Sequence, residues 1–294
     1  MLRGDLARKK MVQCAVMVKK LIVVAGAGAY PRHVIEGAKA AGVENVVALA
    51  VKGSTERATW RAADSVHWVS LGGIADGIRW IAAQGADGVI MAGQVNPLSL
   101  FRGRFDDEVK SWLAELDVKT AHTIFGKLIE KMSAHGIVTL PASCYMDAHM
   151  PGEGVLTARA PTTEETSDIR HAVDVAHDVG VHDVGQTVMV KRGMVLAVEA
   201  FEGTNAAIRR GGKLGGKGSV VFKAAREGHD MRFDIPVVGL KTLKTMHRAG
   251  ATALAFQAGR LVLIDRDAVV KYADAHGIAI IGIESNLPHA PLRP

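Results

Sequence analysis

The chain has 294 residues, enough for one large domain or two ordinary ones. Its 48% hydrophobic and 5% aromatic content points to an aliphatic core, and its net charge of +6, from 36 basic and 30 acidic residues, suits a phosphate-bearing substrate or an anionic surface. Basic stripes interleaved with aromatics are absent, which argues against nucleic acid as a partner. Cys14 and Cys144 are too few for a disulfide framework or a structural zinc site, so a reducing interior is expected. No apolar run reaches the roughly 18 residues that a membrane span needs.

Residues 1–18 form a basic N-terminal arm without a clean apolar stretch and cleavage site, a poor secretory signal. The aliphatic run at 21–24 is followed by Gly26, Gly28 and Pro31, then by a helix pattern over 32–41 that stops at Gly42. Strand, glycine turn and helix open a Rossmann-like unit, although Pro31 stands where the third glycine of a dinucleotide fingerprint belongs. A tight turn and a nucleotide contact are both open readings of Gly26 and Gly28. Strands follow at 45–51, 66–71, 88–93 and 136–140, with helices at 74–84, 107–116 and 121–135 between them. This alternation predicts a parallel sheet covered on both faces, with residues 26–30 and 94–96 on one edge of a ligand crevice. Trp60, Trp68, Trp80 and Trp112 read as core or groove packing. The Rossmann-like domain is thus expected over 19–150.

Residues 151–165 lack an apolar period and read as a linker, leaving 166–284 as a second domain and 285–294 as a tail. Ser167 is a candidate cap for a helix over 168–179; His171 and His177 on it fall on opposite sides, which disfavours a metal pair. A hairpin is expected over 186–200 around Lys191-Arg192-Gly193. Thr204 can cap a short helix, and a strand over 219–224 carries Lys223. Residues 231–235 read as extended, so Arg232 and Asp234 would share a face, as a salt bridge or as part of a site. Helices at 240–249 and 268–276, and strands at 253–257, 261–265 and 278–283, close an α/β domain.

The stretch 199–239 concentrates the chemistry. Glu199, Glu202, Asn205 and Asp234 offer oxygens to a hard cation; Arg209, Lys217, Lys223 and Arg232 offer charge to an anion. The glycines between 203 and 218 would let backbone N–H groups approach a ligand. A solvated basic loop is the alternative. The run 211–218 has P-loop spacing up to its lysine, but Gly218 replaces the Ser or Thr that holds magnesium, and the helix pattern precedes rather than follows it.

The runs DVGQTVMVKRGMVLAVEAFEGTNAAIRR and GSVVFKAAREGHDMRFDIPVVG, with VVAGAGAYP near the front, resemble the LpxI-type UDP-2,3-diacylglucosamine pyrophosphatases. The resemblance implies a Rossmann-like N-terminal domain and a C-terminal α/β domain with a mixed sheet. It implies cleavage of UDP-2,3-diacylglucosamine to UMP and 2,3-diacylglucosamine 1-phosphate, a divalent metal (normally Mg²⁺), a homodimer, and work at the inner face of the cytoplasmic membrane. The family's aspartate in R-F-D-x-P falls on Asp234, the expected catalytic or metal-binding residue, beside Glu199 and Glu202 as further ligands. Lys223 and Arg232 are expected to assist catalysis; Gly26, Gly28, Thr204, Asn205, Arg209 and Lys217 are expected to bind substrate. The family commonly carries Asp where this chain has Asn205, which keeps an oxygen but loses a charge and cannot act as a base. A hydrolase of another nucleotide-diphospho-sugar, or a non-catalytic nucleotide- or lipid-binding protein, is the alternative.

Overall fold

The computed structural model describes residues 18–94, 105–225, 230, 232–233 and 235–284. Asp234, residues 1–17 of the arm and the tail lie outside the described residues. The chain divides into two compact units: Met1–Met146 with Asp230–Asp234, and Asp147–His229 with Ile235–Pro294.

In the first unit β1 (Lys20–Ala25), β2 (Asn45–Val51), β3 (Ser65–Val69) and β4 (Gly88–Ala92) form a parallel sheet of order β3-β2-β1-β4. Helices α1 (Tyr30–Ala40), α2 (Arg57–Ala62) and α3 (Ile74–Ala83) make the crossovers, and α4 (Asp107–Ala114) and α5 (Ala121–Ala134) follow. The inner strands are aliphatic because helices cover both faces. Ile22, Val47, Leu49, Val89 and Met91 pack against Ile78, Val109, Trp112 and Met132, while Val34, Ile35 and Ala38 of α1 are buried too. The strand expected over 136–140 is reduced to one bridge, Val89 with Thr139, beside β4. Helix α2 is not signalled by the sequence pattern, since six residues are too few to show a helical period.

The second unit holds a six-stranded mixed sheet of order β5-β12-β10-β8-β6-β7. It is built from β5 (Gly154–Val155), β6 (Thr187–Lys191), β7 (Met194–Val198), β8 (Ser219–Lys223), β10 (Ala251–Gln257) and β12 (Ala279–Ile283). Strands β8, β10 and β12 are parallel; β6 runs antiparallel to β8 and β7. Helix α6 (Thr163–Gly180) covers one face, where Ile169 and Ala172 meet Val188, Val190, Val220 and Phe222. Helices α7 (Thr204–Gly215), α8 (Leu240–Ala249) and α9 (Arg266–Ala275) cover the other, where Ile208, Leu243, Met246 and Val269 meet Met189, Val221, Leu254 and Phe256. Strands β9 (Val237–Val238) and β11 (Val262–Leu263) pair in parallel as a separate ribbon.

Residues 151–165, expected as a linker, are instead part of this unit. They supply β5, antiparallel to β12, and Leu156 N–H donates to Ile280 O at 2.9 Å. Helix α6 starts five residues before the expected position, with Thr162 rather than Ser167 at its cap. Glu165 decides this: its carboxylate accepts from Thr162 N–H at 2.8 Å, closing a capping box, and receives the Arg159 guanidinium fork at 2.8 Å on each oxygen. The hairpin turn lies where expected, with Arg192 and Gly193 both at positive φ (49° and 73°).

Gly211, Gly212 and Gly215 have a packing role rather than the expected ligand-facing one. A Cβ on Gly211 would lie 2.5 Å from Met189 Sδ, one on Gly212 2.5 Å from Ala249 Cβ, and one on Gly215 would overlap Leu196. They let α7 seat closely on β6, β7 and α8. Among the described residues no helix is long and apolar enough to cross a membrane.

Candidate functional site

Because β6 is antiparallel to both β7 and β8, the latter two run in the same direction. Glu199, just past β7, and Lys223, the last residue of β8, therefore arrive at one edge of the second sheet. Ligands of α/β sheets gather at this carboxyl edge. Lys223 alternates with Val221 and so lies on the sheet face that packs against α7 and α8. It is only 6% exposed.

The ammonium does not stand alone. Lys223 Nζ donates to Thr204 Oγ1 at 2.6 Å, and Thr204 Oγ1 donates to Glu199 Oε1 at 2.9 Å. One hydroxyl thus accepts from a cation and donates to a carboxylate, which fixes its proton and the rotamers on either side. Gly185 shapes the floor beneath: a Cβ there would overlap the Glu199 carbonyl oxygen. Around this chain three acceptor atoms are buried with no hydrogen-bond partner among the described residues: Glu199 Oε2, Asn205 Oδ1 and Thr187 Oγ1. Thr187 is 2% exposed and sits directly opposite Lys223 in the β6–β8 ladder. Buried acceptors left unpaired cost about 1–3 kcal/mol each, and native proteins keep few of them outside functional sites.

Thr204 is not the cap of α7. Gly203 holds that position at φ 80°, and Thr204 is the first helical residue. The reason is chemical: its hydroxyl is engaged by Lys223 and Glu199, so no side chain caps the helix, and its amino end presents uncapped N–H groups beside the ammonium. An uncapped helix end, a buried ammonium and a positioned hydroxyl together suit an anion such as a phosphate.

The other expected residues divide. Asn205 joins the cluster as the second residue of α7. Glu202 is committed elsewhere: Oε1 pairs with Arg210 at 2.6 Å and Oε2 accepts from Ala200 N–H at 3.2 Å. The Arg210 contact holds its carboxyl below the usual range. Arg209 is exposed midway along α7. Lys217 stands before the amino end of β8, at the opposite edge of the sheet from Lys223, near Lys191, Arg192 and Glu164. The expected joint action of Lys217 and Lys223 on one diphosphate has no support in this placement.

Arg232 lies in a turn, not in the extended segment expected over 231–235. Its guanidinium binds Asp230, with Nε at 2.9 Å from Oδ1 and Nη2 at 2.6 Å from Oδ2. Burial alone would raise the Asp230 carboxyl, but Arg232 holds it below its ordinary range, helped by the charge of His122. Phe233 packs in the first unit, its ring 5.6 Å from that of Phe125 and 5.2 Å from that of His122. The segment that carries Asp234 in the sequence therefore belongs with the first unit rather than with the domain expected over 166–284.

In the first unit Gly26 and Gly28 differ. A Cβ on Gly26 would lie 2.7 Å from Gln94 O, because Ala27 and Gln94 exchange backbone hydrogen bonds of 2.8 and 2.9 Å just beyond β1 and β4. Close backbone approach accounts for this glycine. Gly28, at φ 89°, has no atom of the described residues within 4 Å of a built Cβ.

Sequence reasoning missed Thr187 and Gly185. A threonine opening the otherwise apolar strand TVMVK was the one signal for the former; no local signal marks the latter, whose constraint comes from Glu199 across the chain. Among the described residues no three His, Cys, Asp or Glu cluster as a metal site.

The family LpxI N-terminal domain matches residues 20–149, and the LpxI C-terminal domain matches residues 152–281. The chain is 30% identical over 279 residues to the UDP-2,3-diacylglucosamine pyrophosphatase LpxI of Caulobacter vibrioides, covering 91% of this chain and 98% of that protein. Two domain matches spanning most of the chain, on a fold with these two units, establish that it belongs to the LpxI family.

Proposed function

We propose that the chain hydrolyses the pyrophosphate bond of UDP-2,3-diacylglucosamine, giving UMP and 2,3-diacylglucosamine 1-phosphate for lipid A synthesis. Family membership supports this reading, and the observation that carries it is the Lys223–Thr204–Glu199 chain at the carboxyl edge of the second sheet.

Hydrolysis needs a water placed in line with one phosphorus and compensation for charge on the departing phosphate. Lys223, held at a fixed point by Thr204, supplies that compensation, and the uncapped amino end of α7 adds N–H donors to the same oxygens. Glu199 locks the Thr204 hydroxyl so that it accepts from Lys223 rather than from solvent. Asn205 contributes an acceptor, not a base.

Magnesium takes hard oxygen ligands and is commonly held through one or two carboxylates plus substrate phosphates. Glu199 fits, since Oε2 makes no other bond among the described residues; Glu202 fits less well because Arg210 occupies it. We assign Glu199 as the residue of this cluster that would hold the ion; a part for Asp234, which lies outside the described residues, rests on the resemblance alone. When bound, magnesium supplies positive charge to the diphosphate oxygens.

The same reading includes a homodimer working at the inner face of the cytoplasmic membrane. Exposed Met194 and Val195 on β7, an edge strand, with Leu214 on α7, support self-association of the second unit. Sedimentation at two concentrations measures it. The function is tested by UMP release with Mg²⁺ and then with EDTA, beside Asp234→Ala and Asn205→Asp. Metal-dependent release that Asp234→Ala abolishes in a folded protein supports the reading. No UMP from the wild type, with turnover gained in Asn205→Asp, would point to a binding protein instead.

A further inference from the structure

The first unit carries an aromatic and cationic face that its core does not use. Val66 and Trp68 lie two apart on β3, hence on one face of the edge strand, and are 36% and 38% exposed. Trp60 of α2 stands edge-on to Trp68, with ring centroids 6.1 Å apart, and the Arg61 guanidinium carbon lies 5.7 Å from the centre of the Trp60 ring. Arg57 and Arg61 are four apart on α2, both exposed, and neither forms an ion pair with any described residue. The acid nearest in sequence to this strand, Asp64, is already taken by Lys39 at 2.6 Å and by Val46 N–H at 2.7 Å. Glu56 is an exposed carboxylate next to Arg57 in sequence, against the exposed Arg57, Arg61 and Lys52.

The tryptophans were expected as core or groove packing. Trp112 is a core residue, at 7% exposure, whereas Trp68 is 38% exposed. Half-exposed indoles flanked by guanidiniums that pair with no carboxylate among the described residues suit a boundary between water and hydrocarbon: the ring enters the headgroup zone while the cation stays with lipid phosphate. A protein partner would more often bring matching carboxylates to a face with mixed charges; this one offers unbalanced positive charge.

We propose that the α2–β3 face, through Trp60, Val66, Trp68, Arg57 and Arg61, is where the chain rests on an anionic lipid surface. The inference adds to the proposed function, on which it rests for the lipid nature of the substrate, by naming the surface that meets the membrane.

The test uses the full chain and vesicles of phosphatidylglycerol mixed with phosphatidylcholine, against phosphatidylcholine alone. Co-sedimentation and quenching of tryptophan fluorescence by brominated lipid are read for the wild type, Trp68→Ser and the pair Arg57→Glu with Arg61→Glu. The wild type is expected to bind the anionic vesicles with quenched tryptophan emission. Partition should fall at least about tenfold in the arginine pair, as removal and reversal of two charges near an anionic surface requires. Trp68→Ser should lose most of the quenching. All these variants should keep the wild-type rate on substrate dispersed in detergent. Wild-type binding in both variants, or equal binding to neutral vesicles, overturns the proposal. So does a loss of self-association in Trp68→Ser without loss of lipid binding, which would assign the face to a second copy. Absence of UMP release from the wild type in detergent would instead remove the enzymatic reading, while vesicle binding still reports on the face.

Discussion

The two sheets each end in a carboxyl edge where an α/β fold can hold a ligand, and the chain furnishes them in opposite ways. Beyond β1 and β4 the edge is closed by backbone: Ala27 and Gln94 pair with each other, and Gly26 serves that approach. Beyond β7 and β8 the edge is furnished with side chains: a buried ammonium, a hydroxyl and a carboxylate in sequence, ringed by acceptors with no partner among the described residues. Topology provides candidate places, and unsatisfied chemistry selects between them. At the first of these edges the described backbone groups of Ala27 and Gln94 satisfy each other. At the second some polar groups are left over at a cost in stability, which is what a site for an external ligand requires.

This comparison can be broken most forcefully at Lys223. Lys223→Met keeps the length of the side chain and removes the charge; turnover should fall roughly 10²- to 10³-fold, the cost typical of losing one preorganised electrostatic contact, while the protein stays folded. Steady-state kinetics with a melting curve as control checks it.

The next effect sharpens the contrast. Gly26→Ala and Gly185→Ala both push a methyl into backbone, against Gln94 and Glu199 respectively, and each should lower stability by about 1–3 kcal/mol in denaturant titration. Only Gly185→Ala should also cut turnover beyond what unfolding explains, because it displaces Glu199. Equal kinetic losses in the two variants would erase the distinction.

A smaller effect belongs to Gly28→Ala. With no described atom near the position, the expected cost is backbone strain at φ 89°, about 1 kcal/mol. Any change in substrate KM would then report ligand contact there, since packing is not disturbed.

The smallest effect concerns acid. Burial would raise the Glu165 carboxyl, but the Arg159 fork and the Thr162 N–H hold it down at about 2. Its folded value lies below the unfolded value, so its contribution to stability is full above the ordinary glutamate range, near pH 4.5, and is lost as pH falls toward 2. Glu165→Gln should flatten that acid limb in a series of melting curves. It should leave the neutral-pH turnover per folded molecule unchanged, because the residue lies at the start of α6 and not in the cluster.

Much of the architecture was legible because it rests on local pattern. The aliphatic runs of β1, β2 and β4 and the positive-φ turn at Arg192-Gly193 announce themselves within a few residues. What failed depends on partners distant in sequence. Residues 151–165 look structureless until β12 gives β5 a neighbour and Glu165 meets Arg159. The glycine run 211–216 mimics a phosphate loop in sequence, yet Gly211, Gly212 and Gly215 each answer a residue on another element, and Gly216 ends the helix at φ 62°. The candidate site was half legible: Glu199, Thr204, Asn205 and Lys223 are brought together, whereas Lys217 is carried to the other edge by the length of β8 and Glu202 is claimed by Arg210. Charge density along a sequence shows that a site exists; strand direction decides which charges share it.

The central claim is that the chemistry sits on the carboxyl edge of the second sheet. The direct measurement is UMP release from UDP-2,3-diacylglucosamine by the wild type and by Lys223→Met, side by side with Mg²⁺ present. The account predicts release by the wild type and a loss of at least about a hundredfold in the variant. A variant as fast as the wild type would contradict it.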